Sequence, residues 1–396
     1  MARAVIVDAI RSPMGRGKST GALAGVHPVE LLAQVLEALV RRTRLDPALV
    51  DDVLVGCVSQ AGEQSATPGR QALLAAGFPV QVPSTTIERK CGSSQQAITF
   101  AAAGIVAGDY DIAIAAGVES MSRVPMGSAR MGADPFGPRV RSRFPDLVPQ
   151  GVSAELVADR WNLSRAELDE YAARSHSRAA TARAAGGFDN EIVAITVADG
   201  NDTRVVATDE TIRPDTTVER LHGLDPAFAT APYLDRRPGQ EWRITAGNSS
   251  QITDGASALL LMSEEKAATL GLRPRARITG STVVGDDPTL MLTGPIPATR
   301  RLLDRAGLAV DDVDAFEVNE AFASVPLAWQ AELKVPDERL NPCGGAIALG
   351  HPLGASGARL MTTLINHLER TGGRRGLQTM CEAGGMANAT LVELIP

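Results

Sequence analysis

The stretches ERKCGSS at residues 88–94 and GGAIALGHP at residues 344–352 decide how this 396-residue chain is organised. Each holds one reactive side chain, Cys91 or His351, in a turn of small residues that is predicted to open a helix. The tripeptide Asp-Asp-Val at residues 51–53 recurs 260 positions later, and the same offset carries Cys91 onto His351. We therefore predict two copies of one fold unit, which place a nucleophile and a base at equivalent points.

Strand and helix patterns alternate through the first part of the chain. Strands are predicted at residues 4–9, 53–58, 85–88 and 112–116, and helices at 29–40, 68–76 and 93–106. The helix at 29–40 carries its apolar residues on one face and has Pro28 in its first turn. This alternation predicts an α/β unit with a mostly parallel sheet.

A change of composition near Ser120 marks a predicted insertion that is rich in Arg, Pro and Asp. It contains predicted helices at 154–161 and 165–185, and Ser164 with Glu167 forms a capping-box pattern at the start of the second. A strand at 256–262 should rejoin the first sheet. We predict a first lobe of residues 1–119 and 246–268, an inserted loop domain of residues 120–245 that acts as a lid, and a second lobe of residues 269–396.

The second lobe shows the same alternation as the first. Strands are predicted at residues 275–278, 315–318, 377–380 and 390–395, and helices at 299–306 and 359–370. Matching halves predict two similar lobes packed face to face.

Composition excludes several function classes. The net charge of -7 implies no general affinity for nucleic acid. Four cysteines without CxxC spacing argue against a disulfide framework or a structural zinc site, and we predict no metal. Residues 2–10 read as a strand and not as a signal peptide, and no apolar run is long enough to span a membrane. A cytoplasmic location is the expectation.

Cys91 and His351 are the candidate nucleophile and base. A helix N-terminus favours a thiolate, and lowering a thiol pKa from ~8.5 by two units corresponds to roughly 2.7 kcal/mol. His351 could take the proton from Cys91. The competing interpretations are a small buried cysteine and a hydrogen-bonded structural histidine.

Two further residues extend the candidate site. Cys381 precedes a glycine-containing turn at a strand end and could act as an acid or a base. Asn319 follows a strand and could orient a water or donate to an oxyanion. Patterns for a phosphate-binding P-loop and a dinucleotide fingerprint are absent from the sequence. Read singly, each candidate residue has a structural interpretation as well.

Together these motifs closely resemble the thiolase family over essentially the whole chain. The matching segments are the Cys91 turn, TAGNSS at residues 245–250 followed by DGA at 254–256, NEAF at 319–322, residues 344–352, and the Cys381 segment. The resemblance implies a five-layered α-β-α-β-α fold with a loop domain. It also implies an acyltransferase that cleaves 3-ketoacyl-CoA with CoA, or condenses two acyl-CoA molecules in the reverse direction.

The resemblance implies a role for each candidate residue. Cys91 would carry the acyl group after His351 removes its proton, and Cys381 would move the α-proton of acetyl-CoA. His351 and a water held by Asn319 would bind the enolate oxygen. The backbone N–H groups of Cys91 and Ala383 would bind the tetrahedral oxyanion.

The resemblance also implies ligands and assembly. Coenzyme A and acyl-CoA would be substrates, with no permanently bound cofactor and no nucleic-acid or membrane partner. Ser250 matches a serine that contacts the pantetheine arm, and Arg213 matches an arginine near the adenine nucleotide. For Arg213 a solvated surface charge is the competing interpretation. Family members form dimers and tetramers, so a homodimer or homotetramer is expected.

Three departures from the family pattern concern the site. Ala383 stands where glycine is common, and Cys343 is an extra thiol whose better interpretation is packing. Residues 148–155 read VPQGVSAE where acetoacetyl-CoA enzymes carry His-Met-Gly before Thr-Ala-Glu. The altered segment predicts an acyl group longer or bulkier than acetyl.

Three alternatives remain beside 3-ketoacyl-CoA thiolysis. A biosynthetic acetoacetyl-CoA thiolase is a close variant. A decarboxylating ketosynthase shares the duplicated fold but pairs its nucleophile with His-His or His-Asn, so Cys381 argues against it. A catalytically silent acyl-CoA-binding homologue is disfavoured because all four catalytic positions are occupied.

Overall fold

The computed structural model describes residues 3–200 and 202–396. Residues 1, 2 and 201 lie outside the described part. Residues 1 and 2 belong to the predicted first lobe, residue 2 also begins the predicted N-terminal strand, and residue 201 belongs to the predicted insertion. Among the described residues, no helix combines the length and apolar character needed to cross a membrane.

The elements follow the chain in three groups. The first contains β1 (Ala4–Arg11), β2 (Gly15–Arg16), α1 (Pro28–Thr43), β3 (Asp52–Gly56), α2 (Pro68–Ala75), β4 (Ser84–Ile87), α3 (Ser93–Ala107) and β5 (Ile112–Ser120). The second contains α4 (Gly137–Arg143), α5 (Gln150–Arg160), α6 (Arg165–Ala184), β6 (Ile195–Asp199), β7 (Asp202–Val206), α7 (Val218–His222) and α8 (Tyr233–Arg236). The third contains β8 (Thr253–Ser263), α9 (Glu264–Thr269), β9 (Ala276–Gly285), α10 (Pro295–Ala306), β10 (Ala315–Val318), α11 (Ser324–Leu333), α12 (Ala346–Leu349), α13 (Ser356–Thr371), β11 (Arg375–Glu382) and β12 (Met386–Leu394).

Several local predictions are confirmed. Strand β10 has the predicted bounds, and α6 begins with the predicted capping box, in which the Ser164 side chain accepts from the Glu167 N–H. Strand β8 rejoins the first sheet between β1 and β5, as expected. The β6–β7 hairpin, helix α4 and helix α11 were absent from the sequence predictions.

One mixed sheet runs through the molecule and repeats its own order. The path is β10-β11-β12-β9-β1-β8-β5-β3-β4, with β2 paired to β8. In the first half β3/β5 is parallel while β5/β8 and β8/β1 are antiparallel. In the second half β10/β11, β11/β12 and β12/β9 repeat that pattern. The predicted duplication is therefore confirmed by topology.

The prediction of a mostly parallel sheet is wrong. Among the strands of the described residues, the parallel ladders are β3/β4, β3/β5 and β10/β11. The reason is chain reversal: β11 returns directly into β12 through the turn at 383–385, which forces antiparallel pairing. In the first half the long insertion takes the place of that turn, and β8 returns antiparallel to β5.

The strand register gives the true offset between the halves. Asp52 pairs with Ala113 and Ala315 pairs with Gly376, so both positions shift by 263 residues and not by 260. The Asp51 carboxylate accepts the N–H groups of residues 111 and 112, and the Asp314 carboxylate accepts those of residues 374 and 375. The predicted equivalence of Cys91 and His351 is therefore wrong, because Cys91 corresponds to Gly354.

A β-bulge repeats as well. In β1 the register to β8 shifts between Ile6 and Asp8, which leaves Val7 unpaired in the ladder. In β9 the partners of β12 skip from Gly280 to Ile278, which leaves Thr279 as the extra residue. The two halves thus share a local irregularity as well as a strand order.

Three apolar cores divide the molecule into five layers. Helices α1 and α2 pack on the outer face of β1, β3, β5 and β8. Helices α3 and α13 fill the space between the two sets of strands. Helices α10 and α11 pack on the outer side of β10, β11 and β12. The predicted five-layered fold is confirmed.

The insertion packs on both halves. Helices α5 and α6 contribute Val157 and Leu168 to the core that contains β10 and α11. The β6–β7 hairpin contributes Ile195 and Val197 to the outer core of the first half. The segment between Ser120 and β8 therefore lies against elements of both lobes.

The 263-residue offset can be tested by stability. Asp51→Ala and Asp314→Ala should each lower the free energy of unfolding by about 1 kcal/mol, because each removes the acceptor for two backbone N–H groups at the start of a strand. Asp311→Ala is the matched control, since Asp311 aligns with Asp51 at the 260-residue offset but its side chain is 88% exposed. Urea unfolding followed by circular dichroism measures the three values. An equal loss for Asp311→Ala would contradict the assignment.

Candidate active site

Cys91 sits in a tight turn between β4 and α3. Lys90 adopts a left-handed conformation with φ of 48°, and the chain then enters α3 at Ser93. The Ser93 hydroxyl donates to the Lys90 carbonyl at 2.5 Å, and the Arg89 N–H donates to the same hydroxyl at 2.9 Å. These bonds hold the turn rigid, and Cys91 is 4% exposed.

The expected thiolate at this turn is not found. Burial, together with the nearby Glu382, raises the pKa of the Cys91 thiol to about 12. Helix α3 begins two residues after Cys91, and the loss of solvent outweighs what its N-terminus supplies. Cys91 is therefore a neutral thiol at rest and needs a base to become a nucleophile.

His351 is held as a neutral imidazole with one defined tautomer. Burial, followed by the charge of Arg359, lowers the pKa of His351 to about 3. The Ser356 hydroxyl donates to the Pro352 carbonyl, so it can only accept from His351 Nδ1–H, which lies 2.6 Å away. Nε2 then carries the lone pair and faces Asn319 Nδ2 at 3.3 Å. This arrangement suits a general base.

The loop that carries His351 is tied to the first half. The His351 N–H lies 3.1 Å from the Gln251 carbonyl and 3.0 Å from the Thr253 hydroxyl. Three residues further on, the Gly354 N–H donates to the buried carboxylate of Glu119 at 2.8 Å. A loop of the second lobe is thereby positioned by two segments of the first, residues 251–253 and Glu119.

Cys381 approaches Cys91 from the second half. It is fully buried on β11, and its pKa is raised by burial and then by the neighbouring Cys91. One small apolar cluster joins Cys91 to Met380 and Leu353, which lie beside Cys381 and His351 in the chain. Three stretches that are far apart in sequence therefore meet in one region.

The turn after Cys381 keeps a backbone donor in spite of its alanine. Gly384 and Gly385 have φ values of 97° and 76°, whereas Ala383 is outside the left-handed set. Alanine at this position therefore needs no left-handed conformation. Alanine keeps its backbone N–H group at this position, and its role as an oxyanion donor stays a prediction.

Ser250 and Arg213 lie beside the His351 loop. The Ser250 N–H donates to the Ala321 carbonyl at 3.0 Å, next to the NEAF motif. The adjacent Gln251 accepts a hydrogen bond from the Arg213 guanidinium at 3.1 Å and also contacts the His351 backbone. Arg213 is exposed, so it can reach a ligand in solvent.

Glu320 is a positioning residue that sequence reasoning did not single out. Its buried carboxylate accepts hydrogen bonds from the Tyr171 and Ser175 hydroxyls of α6, at 2.9 and 2.7 Å. It also accepts from Asn341 Nδ2 and the Ile347 N–H, both at 3.0 Å. The carboxylate joins the insertion to the loops on either side of the glycine pair at 344 and 345. Its place inside the NEAF motif was the available signal.

Cys343 points away from the candidate site. Its sulfur lies 3.5 Å from His367 Nδ1 and 3.4 Å from Arg370 Nη2, in a separate apolar cluster with Ala179 and Leu349. These contacts favour the packing interpretation.

The comparisons with known proteins agree with the fold. Family models described as the thiolase N-terminal and C-terminal domains match residues 4–265 and 272–394. A steroid 3-ketoacyl-CoA thiolase of Mycobacterium tuberculosis is 48% identical over 99% of this chain and 94% of its own length. A 3-ketoacyl-CoA thiolase of Serratia proteamaculans is 46% identical over the full length of both. The crystal structure of a Bacillus anthracis acetyl-CoA acetyltransferase matches with a TM-score of 0.89 and 39% identity, over 100% of this chain and 99% of that one.

Removal of the Ser356 hydroxyl tests how His351 is oriented. Ser356→Ala should lower kcat about ten-fold or more with little change in KM, because Nδ1–H loses its acceptor and the base loses its fixed tautomer. Turnover is followed by loss of the β-ketoacyl chromophore of a 3-ketoacyl-CoA. Thr362→Val is the matched control, since its hydroxyl on the same helix bonds to the Ala358 carbonyl. An unchanged kcat in Ser356→Ala would contradict the assignment.

Proposed function

The chain belongs to the thiolase family, and we propose that it catalyses CoA-dependent cleavage of 3-ketoacyl-CoA to acetyl-CoA and a shortened acyl-CoA, or the reverse condensation. It is an acyltransferase of that family. The observation that best supports the chemistry is the meeting of the Cys91, His351 and Cys381 stretches around one cluster. The catalytically silent alternative leaves this convergence without a purpose.

The first proposed step is attack by the Cys91 sulfur on the β-keto carbon. The thiol proton passes to His351 Nε2 as the S–C bond forms. Burial raises the pKa of the thiol to about 12 and lowers that of the imidazole to about 3, so a resting pair of thiolate and imidazolium is unfavourable. Proton transfer therefore accompanies bond formation. The backbone N–H groups of Cys91 and Ala383 are proposed to bind the oxyanion.

The second step breaks the bond between the α and β carbons. The electron pair leaves on the thioester enolate of acetyl-CoA, whose oxygen is proposed to face His351 and a water held by Asn319. Cys381 donates its proton to the enolate carbon. The thiol of a second CoA then attacks acyl-Cys91 and passes its proton to the Cys381 thiolate. The bond between the acyl carbon and the Cys91 sulfur breaks, and the sulfur takes back its proton from His351, which restores the free enzyme. In condensation these steps run in reverse, and Cys381 removes the α-proton.

Coenzyme A is proposed as the co-substrate, without a resident cofactor. The position of Ser250 and Arg213 beside the His351 loop supports their assignment to the pantetheine arm and the nucleotide. Residues 120–245 are proposed to act as a lid over CoA between the lobes formed by 1–119 with 246–268 and by 269–396. A homodimer or homotetramer and a cytoplasmic location are also proposed.

The acyl group is proposed to be longer or bulkier than acetyl. Helix α5 begins at Gln150, and a Cβ on Gly151 would lie 2.2 Å from the ring of Phe228. That ring packs edge-on against Phe322, with ring centroids 5.9 Å apart, three residues after Asn319. The altered segment at 148–155 is thus close in space to the NEAF motif. The relative named as a steroid 3-ketoacyl-CoA thiolase also supports an acyl group bulkier than acetyl.

The substrate proposal is tested by a profile of kcat/KM against acyl length. Longer 3-ketoacyl-CoAs should be used at least ten-fold better than acetoacetyl-CoA, since extra buried methylenes add binding energy. The double substitution Pro149→His with Gln150→Met restores the pattern of acetoacetyl-CoA enzymes. It should bring the kcat/KM for longer 3-ketoacyl-CoAs closer to that for acetoacetyl-CoA. Gln81→Met, at an exposed position outside the insertion, is the control. A strict preference of the wild type for acetoacetyl-CoA would count against the proposal.

Cysteine replacement separates the roles of the two thiols. Cys91→Ala should abolish all turnover. Cys381→Ala should lose carbon–carbon cleavage by about 10³-fold or more, yet still exchange the acyl group between acyl-CoA and labelled CoA, because exchange needs acyl-Cys91 and no carbon acid. Cys343→Ala should retain both reactions. Loss of exchange in a folded Cys381→Ala protein would refute the division of labour.

A further inference from the structure

Glu382 places a carboxyl group directly behind the nucleophile turn. It ends β11 immediately after Cys381, and its side chain points to the opposite face of the strand, as Met380 does. A Cβ on Gly92 would lie 2.0 Å from Glu382 Oε1 and 2.7 Å from Asn388 Nδ2. The carboxyl therefore packs against the residue that follows Cys91.

The surroundings of this carboxyl do not suit a negative charge. Glu382 is 0% exposed, and neither of its oxygens has a hydrogen-bond partner among the described residues. Asn388 donates to the Gly92 carbonyl at 3.2 Å, but its own Oδ1 is also unpartnered in this part of the chain. A buried carboxylate without donors is costly, whereas a protonated one brings a donor to a site where Asn388 Oδ1 lacks one.

The charged and titratable groups facing Glu382 are few. Arg89 acts on it through space and favours ionisation, but burial is the larger effect and raises the pKa of Glu382 to about 8. The two thiols, Cys91 and Cys381, are its titratable neighbours, and the pKa of each is raised further by negative charge on Glu382. Glu119 raises the pKa of Cys91 and Lys90 lowers it, and both effects are smaller than that of Glu382.

Both thiols must become more negative at some point in the proposed reaction. Cys91 develops charge as it attacks, and Cys381 after it gives up its proton. An ionised carboxyl on Glu382 would oppose both steps. A neutral carboxyl fills the same space without that penalty.

We propose that Glu382 is a positioning residue, an uncharged carboxylic acid that supports the Cys91–Gly92 turn and keeps negative charge away from both thiols. This inference rests on the proposed function. Glu382 is not a catalytic residue, because it packs against Gly92 from the face of β11 opposite to Cys381. The motifs that match the family assign no role to this position. Its protonation state sets how readily Cys91 loses its proton.

The test measures Cys91 itself and does not depend on turnover. Iodoacetamide alkylates thiolates, and mass spectrometry of the Cys91 peptide gives the rate at each pH between 6.5 and 9.5. Glu382→Gln keeps the shape and cannot ionise. At pH 6.5 its rate should match the wild type within about two-fold. At pH 9, where the wild-type carboxyl is ionised, the variant should react about ten-fold faster, since one pKa unit of the thiol changes its thiolate fraction ten-fold.

Controls separate this effect from a general change. Glu393→Gln removes the same charge at the far end of the β11–β12 ladder and should leave the pH curve unchanged. If Glu382→Gln fails to fold by circular dichroism, Glu382→Ala should show the same gain at pH 9. The wild-type curve should itself become shallower above pH 8, which needs no variant.

Three results would overturn the inference. One is a ratio of variant to wild-type rates that does not change with pH. Another is a wild-type curve of constant slope through pH 8. A third is a folded Glu382→Gln protein that loses thiolysis by 100-fold at pH 7, because the carboxylate itself would then be required. Failure of the wild type to cleave any 3-ketoacyl-CoA would instead refute the proposed function and leave the alkylation result intact.

Discussion

Two buried carboxylates, Glu119 and Glu320, hold the loops of the site in place. Glu119 accepts the N–H groups of Val58, Ser59 and Gly354 and the Gln64 amide, at 2.8 to 3.0 Å. A carboxylate taken out of water costs several kcal/mol unless donors replace the solvent. Four donors do so here, three from residues 58–64 and one from Gly354, and four donors likewise surround Glu320. Neither loop can move without leaving a charged group unsatisfied, so the position of the His351 loop follows from these contacts.

Within this frame, burial keeps the reacting groups uncharged until substrate arrives. The same loss of solvent that raises the pKa of Cys91 lowers that of His351. Charge is therefore created only when the sulfur attacks, in a place where hydrogen-bond donors are fixed beforehand. Preorganised donors in a dry site stabilise such charge more than water can, since they need no reorientation. A stable thiolate would forgo part of that advantage.

Local features of the fold could be predicted from the sequence, because short patterns encode them. The capping box of α6, the bounds of β10 and the turn at Cys91 all follow from residues close in the chain. Strand direction depends on how the chain reverses at residues 120 and 383, which no local pattern records. The 260-residue offset matched a chance Asp-Asp pair, whereas the structural repeat rests on Asp51 and Asp314.

The candidate site also contains features that local sequence patterns predict and features that only the tertiary structure determines. Cys91, His351, Cys381 and Asn319 were found by motif, and the structure brings their stretches together. The resting charge of Cys91 was wrongly predicted, because helix position is visible in a sequence and burial is not. Buried acids such as Glu320 and Glu382 were not predicted as site residues for the same reason, because a glutamate is usually a surface residue.

The insertion shows how such a site can be added to a repeat. The β5/β8 ladder stays paired up to Ser120 and Asp254, and Asp254 accepts from the Ser122 N–H and hydroxyl at the root of the insertion. A long segment that leaves and re-enters at neighbouring points adds little closure entropy and leaves the sheet intact. The first half therefore carries a long insertion at the point where the second half keeps the short turn of residues 383–385.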